Sequence, residues 1–178
     1  MQKNRMPPQL VLVLGGARSG KSDYAERLLS QMSADRIYVA TAQARDAEME
    51  TRIAAHKASR AGGWETVEAP LHVVPALKDM TEGKGVLVDC LTLWLSNQME
   101  LGADIASETE VLLRGLSGLD GPVVMVSNEI GMGLVPDTPL GRSFRDAQGT
   151  LNQRAAELAD LVVFVAAGLP MVLKGELP

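Results

Sequence analysis

Cysteine is nearly missing from this sequence: Cys90 is the only one, which excludes an internal disulfide framework. A surplus of positive charge is missing too. Seventeen lysines and arginines stand against 22 aspartates and glutamates, and the formal net charge of -5 leaves no basic excess to neutralise nucleic-acid phosphates or anionic lipid. Neither a general nucleic-acid binder nor a membrane-surface protein fits that balance. No apolar run reaches the ~20 residues of a bilayer span. The opening MQKNRMPP lacks the apolar core of a secretory signal, so a cytoplasmic protein is expected. Aromatics make up 3% of the chain, and Trp64 and Trp94 lack the interleaved basic residues of a base-stacking surface; both read as packing residues. There are no repeats, no low-complexity segments and no linker. With 46% of 178 residues hydrophobic, the expectation is one domain over 1–178 with a sizeable core, its residues 1–9 forming a flexible tail.

What the chain does have is a glycine loop in a telling place. The apolar run 10–14 leads directly into GGARSGKS at 15–22, and an amphipathic run follows. Strand, glycine loop and helix in that order are the context of a P-loop, G-x-x-x-x-G-K-[ST]. Gly15 and Gly20 let the backbone close around phosphate oxygens, so that the N–H groups of the loop, through Gly16, Ala17, Arg18 and Ser19, point inward as an anion nest. Lys21 adds a mobile charge. Ser22 offers a hydroxyl to Mg²⁺ at a helix N-terminus whose dipole also favours anions. A bound nucleotide follows.

Beyond the loop, short β-branched apolar runs alternate with helical patterns. Strands are expected at 10–14, 37–42, 86–89, 123–127 and 161–166, with a weaker one at 66–68. Helices are expected at 22–30, 46–61, 71–80, in a broken stretch over 92–116, and at 140–159. Nearly continuous apolar strands separated by helices imply a parallel sheet covered on both faces, and 171–173 reads as an antiparallel edge.

Ligands of such sheets sit beyond the carboxyl ends of the strands. Thr41, Ala42 and Gln43 stand at one such end, with Arg45 and Asp46 just after. Asp89 closes another, as the Mg²⁺-binding acid that a P-loop needs on a nearby strand; its strand is expected beside the P-loop strand. The alternative for Asp89 is a helix cap. Cys90, next to it, reads as a small buried hydrophobe inside the strand. Asn128 and Glu129 form a further strand tip, followed by a glycine pair around Met132, which reads as a gap-filler. Arg142, Arg145, Asn152 and Arg154 lie on a long polar-faced helix, where solvated charge is the ordinary outcome.

The segment DAEMETRIAAHKASR places Arg52, His56 and Arg60 at i, i+4 and i+8 of one helix, with Lys57 alongside. A histidine among cations resists protonation, so its imidazole would be neutral and nucleophilic near pH 7. The alternative, and the ordinary outcome for a charged helix face, is that Glu48 pairs with Arg52, that Lys57 and Arg60 are solvated and that His56 is a surface residue. The only other histidine, His72, has no charge cluster and reads as structural or exposed.

GGARSGKS, YVATAQ, DAEMETRIAAHK, VDCLTLWLSN, SNEIGMGLVP and FRDAQGTLNQRAAELAD together resemble the bifunctional adenosylcobinamide kinase / adenosylcobinamide-phosphate guanylyltransferase family, in the family's order and over nearly the whole chain from Leu10. The resemblance implies an α/β P-loop NTPase (RecA-like) fold: a mostly parallel sheet, helices on both faces and a C-terminal antiparallel edge strand. It implies two reactions of cobalamin biosynthesis. ATP or GTP phosphorylates adenosylcobinamide; GTP then guanylylates a histidine, and GMP passes to adenosylcobinamide phosphate to give adenosylcobinamide-GDP. The family's histidine matches His56; where some relatives have two adjacent histidines, this chain has Ala55 before it. His56 and Lys21 are thus the expected catalytic residues. The implied nucleotide contacts extend beyond the loop to Thr41, Ala42, Gln43, Arg52, Lys57, Ala58, Ser59, Arg60, Glu68 at the ribose, and Asp89, with Ser22 and Asp89 holding Mg²⁺. A homo-oligomer is expected. Two rivals remain. A GTP-dependent switch is disfavoured because SNEIG lacks the lysine and aspartate of N-K-x-D, whereas a monofunctional kinase would need the P-loop and Asp89 but not His56.

Overall fold

The computed structural model describes residues 8–43 and 62–178. Among the described residues, seven strands form one sheet in the order β3-β2-β4-β5-β1-β6-β7. They are β1 (Leu10–Gly15), β2 (Arg36–Ala40), β3 (Trp64–Glu68), β4 (Gly85–Asp89), β5 (Val123–Asn128), β6 (Leu161–Ala166) and β7 (Leu169–Lys174). All neighbours pair in parallel except β6 and β7, so the expected mostly parallel sheet with a C-terminal antiparallel edge is borne out. The unbroken apolar runs of β1, β4 and β5 follow from burial on both faces.

Two packed layers result. On one face α1 (Lys21–Met32) lays Ala25, Leu28 and Leu29 against Val11, Val13, Leu87, Val124 and Val126. On the other, α3 (Leu91–Glu100), α4 (Ile105–Ser117) and α5 (Pro139–Leu158) bring Leu95, Leu112 and Leu151 against Leu12, Val88 and Met125. Leu12 is fully buried; truncating such a leucine to alanine costs about 2–5 kcal/mol.

Three sequence expectations change and one is sharpened. The helix expected at 71–80 is one short turn, α2 (Val73–Ala76), continued by i→i+3 hydrogen bonds as far as Met80 N–H to Leu77 O. Buried Val73 and Leu77 carry the helical spacing, but Asp79 takes a positive φ of 63° that ends any helix. The expected broken stretch at 92–116 resolves into two helices, separated at Gly102 (φ 68°), the second capped by Asp104, whose carboxylate accepts the N–H groups of Ala106 and Ser107. Cys90 lies outside the strand, at the N-cap of α3. Lastly, β4 does not neighbour the P-loop strand: β5 stands between β1 and β4. Strand hydrophobicity cannot reveal that insertion, because every central strand is equally apolar.

The expected helix at 46–61 lies outside the described residues. Among the described residues, no helix is long and apolar enough to cross a membrane.

Candidate active site

The chain leaves β1 at Gly15, where a side chain cannot fit: a Cβ there would lie 2.5 Å from Ser19 Oγ and 2.6 Å from the Val165 carbonyl. The loop then turns through Arg18 (φ 56°) and Gly20 (φ 88°), left-handed conformations of the kind that build anion-binding backbone nests. Ser19 N–H donates to Gly16 O at 3.3 Å, and Tyr24 N–H to Gly20 O at 3.0 Å as α1 begins. The turn between β6 and β7 supports the loop from outside, Gly168 N–H donating to Ser19 O at 2.8 Å. The Ser19 hydroxyl is buried and has no hydrogen-bond partner among the described residues. Lys21 folds back so that Nζ donates to Gly16 O at 3.2 Å, across the hollow that a phosphate would fill.

Asp89 reaches the same side of the sheet. Along β4, Leu87 packs in the layer of α1 while Val86 and Val88 pack in the opposite one, so alternation puts Asp89 on the α1 face. Tyr38, on the same face of β2 and in register with Leu87, donates its hydroxyl to Asp89 Oδ2 at 3.0 Å. The Cys90 thiol is pushed up to about 12, first by burial and then by the Asp89 carboxylate, with Lys21 among the weaker influences pulling it down. It is therefore a neutral thiol and no nucleophile.

Thr41 and Gln43 follow β2, as expected, but the Thr41 hydroxyl is wholly buried and committed to structure. It donates to Cys90 O at 2.8 Å and accepts from Cys90 N–H at 2.7 Å, fastening the ends of β2 and β4 together. Glu68 ends β3 and is exposed. It stands four strands from β1, or roughly 19 Å at ~4.8 Å per strand, at the far end of the row of strand tips. The P-loop follows β1 and Asp89 ends β4, two strands away, while Glu68 ends β3 at the edge of the same row of strand tips. Arg52, His56, Lys57, Ala58, Ser59 and Arg60 lie outside the described residues. His72 is exposed at the start of α2.

Sequence reasoning missed the polar frame that holds these tips. Asn97 of α3 is buried and donates to Thr41 O and Pro70 O, each at 2.9 Å, while Trp94 Nε1 and Gln98 Nε2 donate to Leu71 O. Under β5, Ser127 Oγ donates to Asn152 Oδ1 at 2.7 Å, Gln148 Nε2 donates to both Ser127 Oγ and Asn152 Oδ1 at 2.9 Å, and Asn152 Nδ2 donates to Asn128 O at 3.0 Å. Asn152 is therefore not simply a solvated residue. Amides at i and i+4 beside the buried Leu151 and Ala155 were the available signal. Glu129 N–H donates to Gly15 O at 3.1 Å, tying β5 to the P-loop, and its carboxylate accepts the N–H groups of Gly131 and Met132.

A phosphate loop with its lysine and serine, an acid on the same face of a second strand, and one strand between the two define a P-loop NTPase of the RecA-like kind. Solved structures agree on the fold. A type III secretion system ATPase matches with a TM-score of 0.58 at 13% identity over 92% of this chain and 56% of that one, and a Pyrococcus horikoshii OT3 protein, PH0250, with 0.55 at 9% over 96% and 88%. The family model for CobU, cobinamide kinase / cobinamide phosphate guanyltransferase, matches residues 11–173, and the chain belongs to that family. The bifunctional adenosylcobalamin biosynthesis protein CobP of Pseudomonas aeruginosa is 48% identical over 93% of this chain and 97% of its own. The corresponding CobU proteins of Salmonella typhimurium and Escherichia coli are each 36% identical over 93% and 99%. The chain is an enzyme of this kinase and guanylyltransferase class.

Proposed function

We propose that this enzyme carries out both transfers at its single P-loop. In the first, the hydroxyl oxygen of adenosylcobinamide's aminopropanol bonds to the γ-phosphorus of ATP or GTP, the nucleoside diphosphate leaves, and the hydroxyl proton passes to solvent. In the second, a nitrogen of His56 bonds to the α-phosphorus of GTP and pyrophosphate leaves; a phosphate oxygen of adenosylcobinamide phosphate then displaces the histidine, giving adenosylcobinamide-GDP. Splitting the second transfer this way replaces one hard displacement by two easier ones.

The observation that carries this reading is the gathering of the P-loop, Lys21 and Asp89 at one end of the sheet in a chain of this family. Lys21 and the loop N–H groups bind and orient the phosphates, the main work in such reactions. Ser22 and Asp89 provide only oxygen donors, with the neighbouring thiol neutral, a set that suits Mg²⁺, which keeps waters and substrate phosphates in its remaining positions. Bound there, Mg²⁺ would neutralise charge on the phosphate oxygens. Arg52, Lys57 and Arg60 would supply positive charge to the GTP phosphates. Small corrinoids and nucleotides are the partners, nucleic acid is not, the setting is the cytoplasm, and the protein acts as a homo-oligomer.

The test is incubation with GTP labelled on the α-phosphate, then denaturation and mass spectrometry. GMP should remain attached at His56 through an acid-labile, base-stable bond. His56→Ala should lose the adduct and guanylyl transfer but keep most kinase turnover, and Lys21→Ala should lose both. An adduct at His72, or one that survives His56→Ala, would refute the mechanism.

A further inference from the structure

The side chain of Asn128 has no part in the reading above. It ends β5, the strand inserted between the P-loop strand and that of Asp89, and it stands opposite Gly15 in register. Val123 and Met125 pack in the layer of α5, and Ser127 continues that side by bonding Asn152; Val124 and Val126 pack in the layer of α1. Alternation therefore places Asn128 on the α1 face, the face of Gly15 and Asp89.

Its backbone is fixed on both sides. Asn128 N–H donates to Thr92 Oγ1 at 2.9 Å, and its carbonyl accepts from Asn152 Nδ2 at 3.0 Å. The carboxamide is half-buried and makes no hydrogen bond among the described residues. The neighbouring Glu129 carboxylate is turned away onto Gly131 and Met132. A held amide with two N–H donors, on the face of a phosphate loop and an acid, matches an anionic oxygen.

We propose that Asn128 donates to a non-bridging oxygen of the nucleotide's terminal phosphate. In the kinase reaction this is the group transferred: its bond to the β,γ-bridging oxygen breaks as the substrate hydroxyl oxygen bonds to phosphorus, the hydroxyl proton leaving to solvent. Asn128 would orient that phosphate from the ground state through the transition state. In guanylylation the reacting phosphorus is two phosphates away, so the contact matters less. The proposal rests on the P-loop as the nucleotide site and is independent of the corrinoid substrate.

The test compares binding of the β,γ-imido analogue of ATP with binding of ADP, both with Mg²⁺, by calorimetry on the full chain. Asn128→Ala should cut the triphosphate-to-diphosphate affinity ratio about 10-fold or more, the scale of one hydrogen bond to a charged group, while ADP affinity stays within about threefold. Asn128→Asp should lower the ratio further by like-charge repulsion. Kinase kcat should fall about 10-fold or more in Asn128→Ala, with formation of the GMP adduct reduced far less. An unchanged affinity ratio overturns the proposal, as does an equal loss of ADP and triphosphate affinity, which marks a purely structural role. If the ratio falls as expected but the wild type does not phosphorylate adenosylcobinamide, the corrinoid reading fails and this one stands.

Discussion

Cys90 lies between the strand that carries Asp89 and the helix that follows it, and its chemistry is set by that place. Its thiol is buried and pushed up to about 12, so it stays protonated in the folded protein over the whole physiological range. The native chain should react negligibly with a maleimide at pH 8 and react fully once unfolded; rapid labelling of the folded form would contradict the burial. The sign for stability follows. A free thiol ionises near ~8.5, whereas the folded one holds its proton to about 12, so the unfolded state binds fewer protons at alkaline pH and stability falls as pH rises between those values. Below that window the contribution is fully present. Cys90→Ala should flatten the alkaline part of the melting-temperature profile. Tyr24, raised chiefly by burial, adds in the same direction at higher pH.

At the scale of elements, the row of strand tips is held by side chains of the helices behind the sheet. Gln148 and Ser127 are fully buried, and with Asn152 they share three hydrogen bonds. Asn152→Ala leaves the Asn128 carbonyl and its buried neighbours short of partners, at about 1–3 kcal/mol, which lowers the melting temperature by roughly 2–4 °C per kcal/mol in a chain of this size. Differential scanning calorimetry checks this, and a melting temperature within about 1 °C of wild type would show that water replaces the lost bonds. The same elements show how far the sequence could be read. The P-loop, the strand runs and the antiparallel edge were legible because backbone demands at Gly15 and Gly20 and burial on both faces leave a direct mark on residue choice. The position of β5 between β1 and β4 left no mark, since pairing order depends on contacts distant in sequence. The buried amides were illegible for another reason: Gln148 and Asn152 differ from surface residues only in where α5 happens to rest.

On the scale of the whole molecule, the sheet closes badly at one side. β7 is exposed along its length, and Leu169, Met171, Val172 and Leu173 are 72%, 54%, 40% and 57% accessible, with large apolar groups on both faces of an edge strand. Such an edge invites pairing with another chain, in keeping with the homo-oligomer proposed above. Met171→Lys combined with Leu173→Lys should shift the protein towards monomer in sedimentation velocity without unfolding it, and an unchanged distribution would move the interface elsewhere. The hydrogen bond from Gly168 to Ser19 then acquires a thermodynamic meaning, because the turn that launches β7 also props the phosphate loop. Free energy exchanged across such a joint is reciprocal: to whatever extent assembly on β7 stiffens that turn and so raises nucleotide affinity, nucleotide tightens assembly by the same factor.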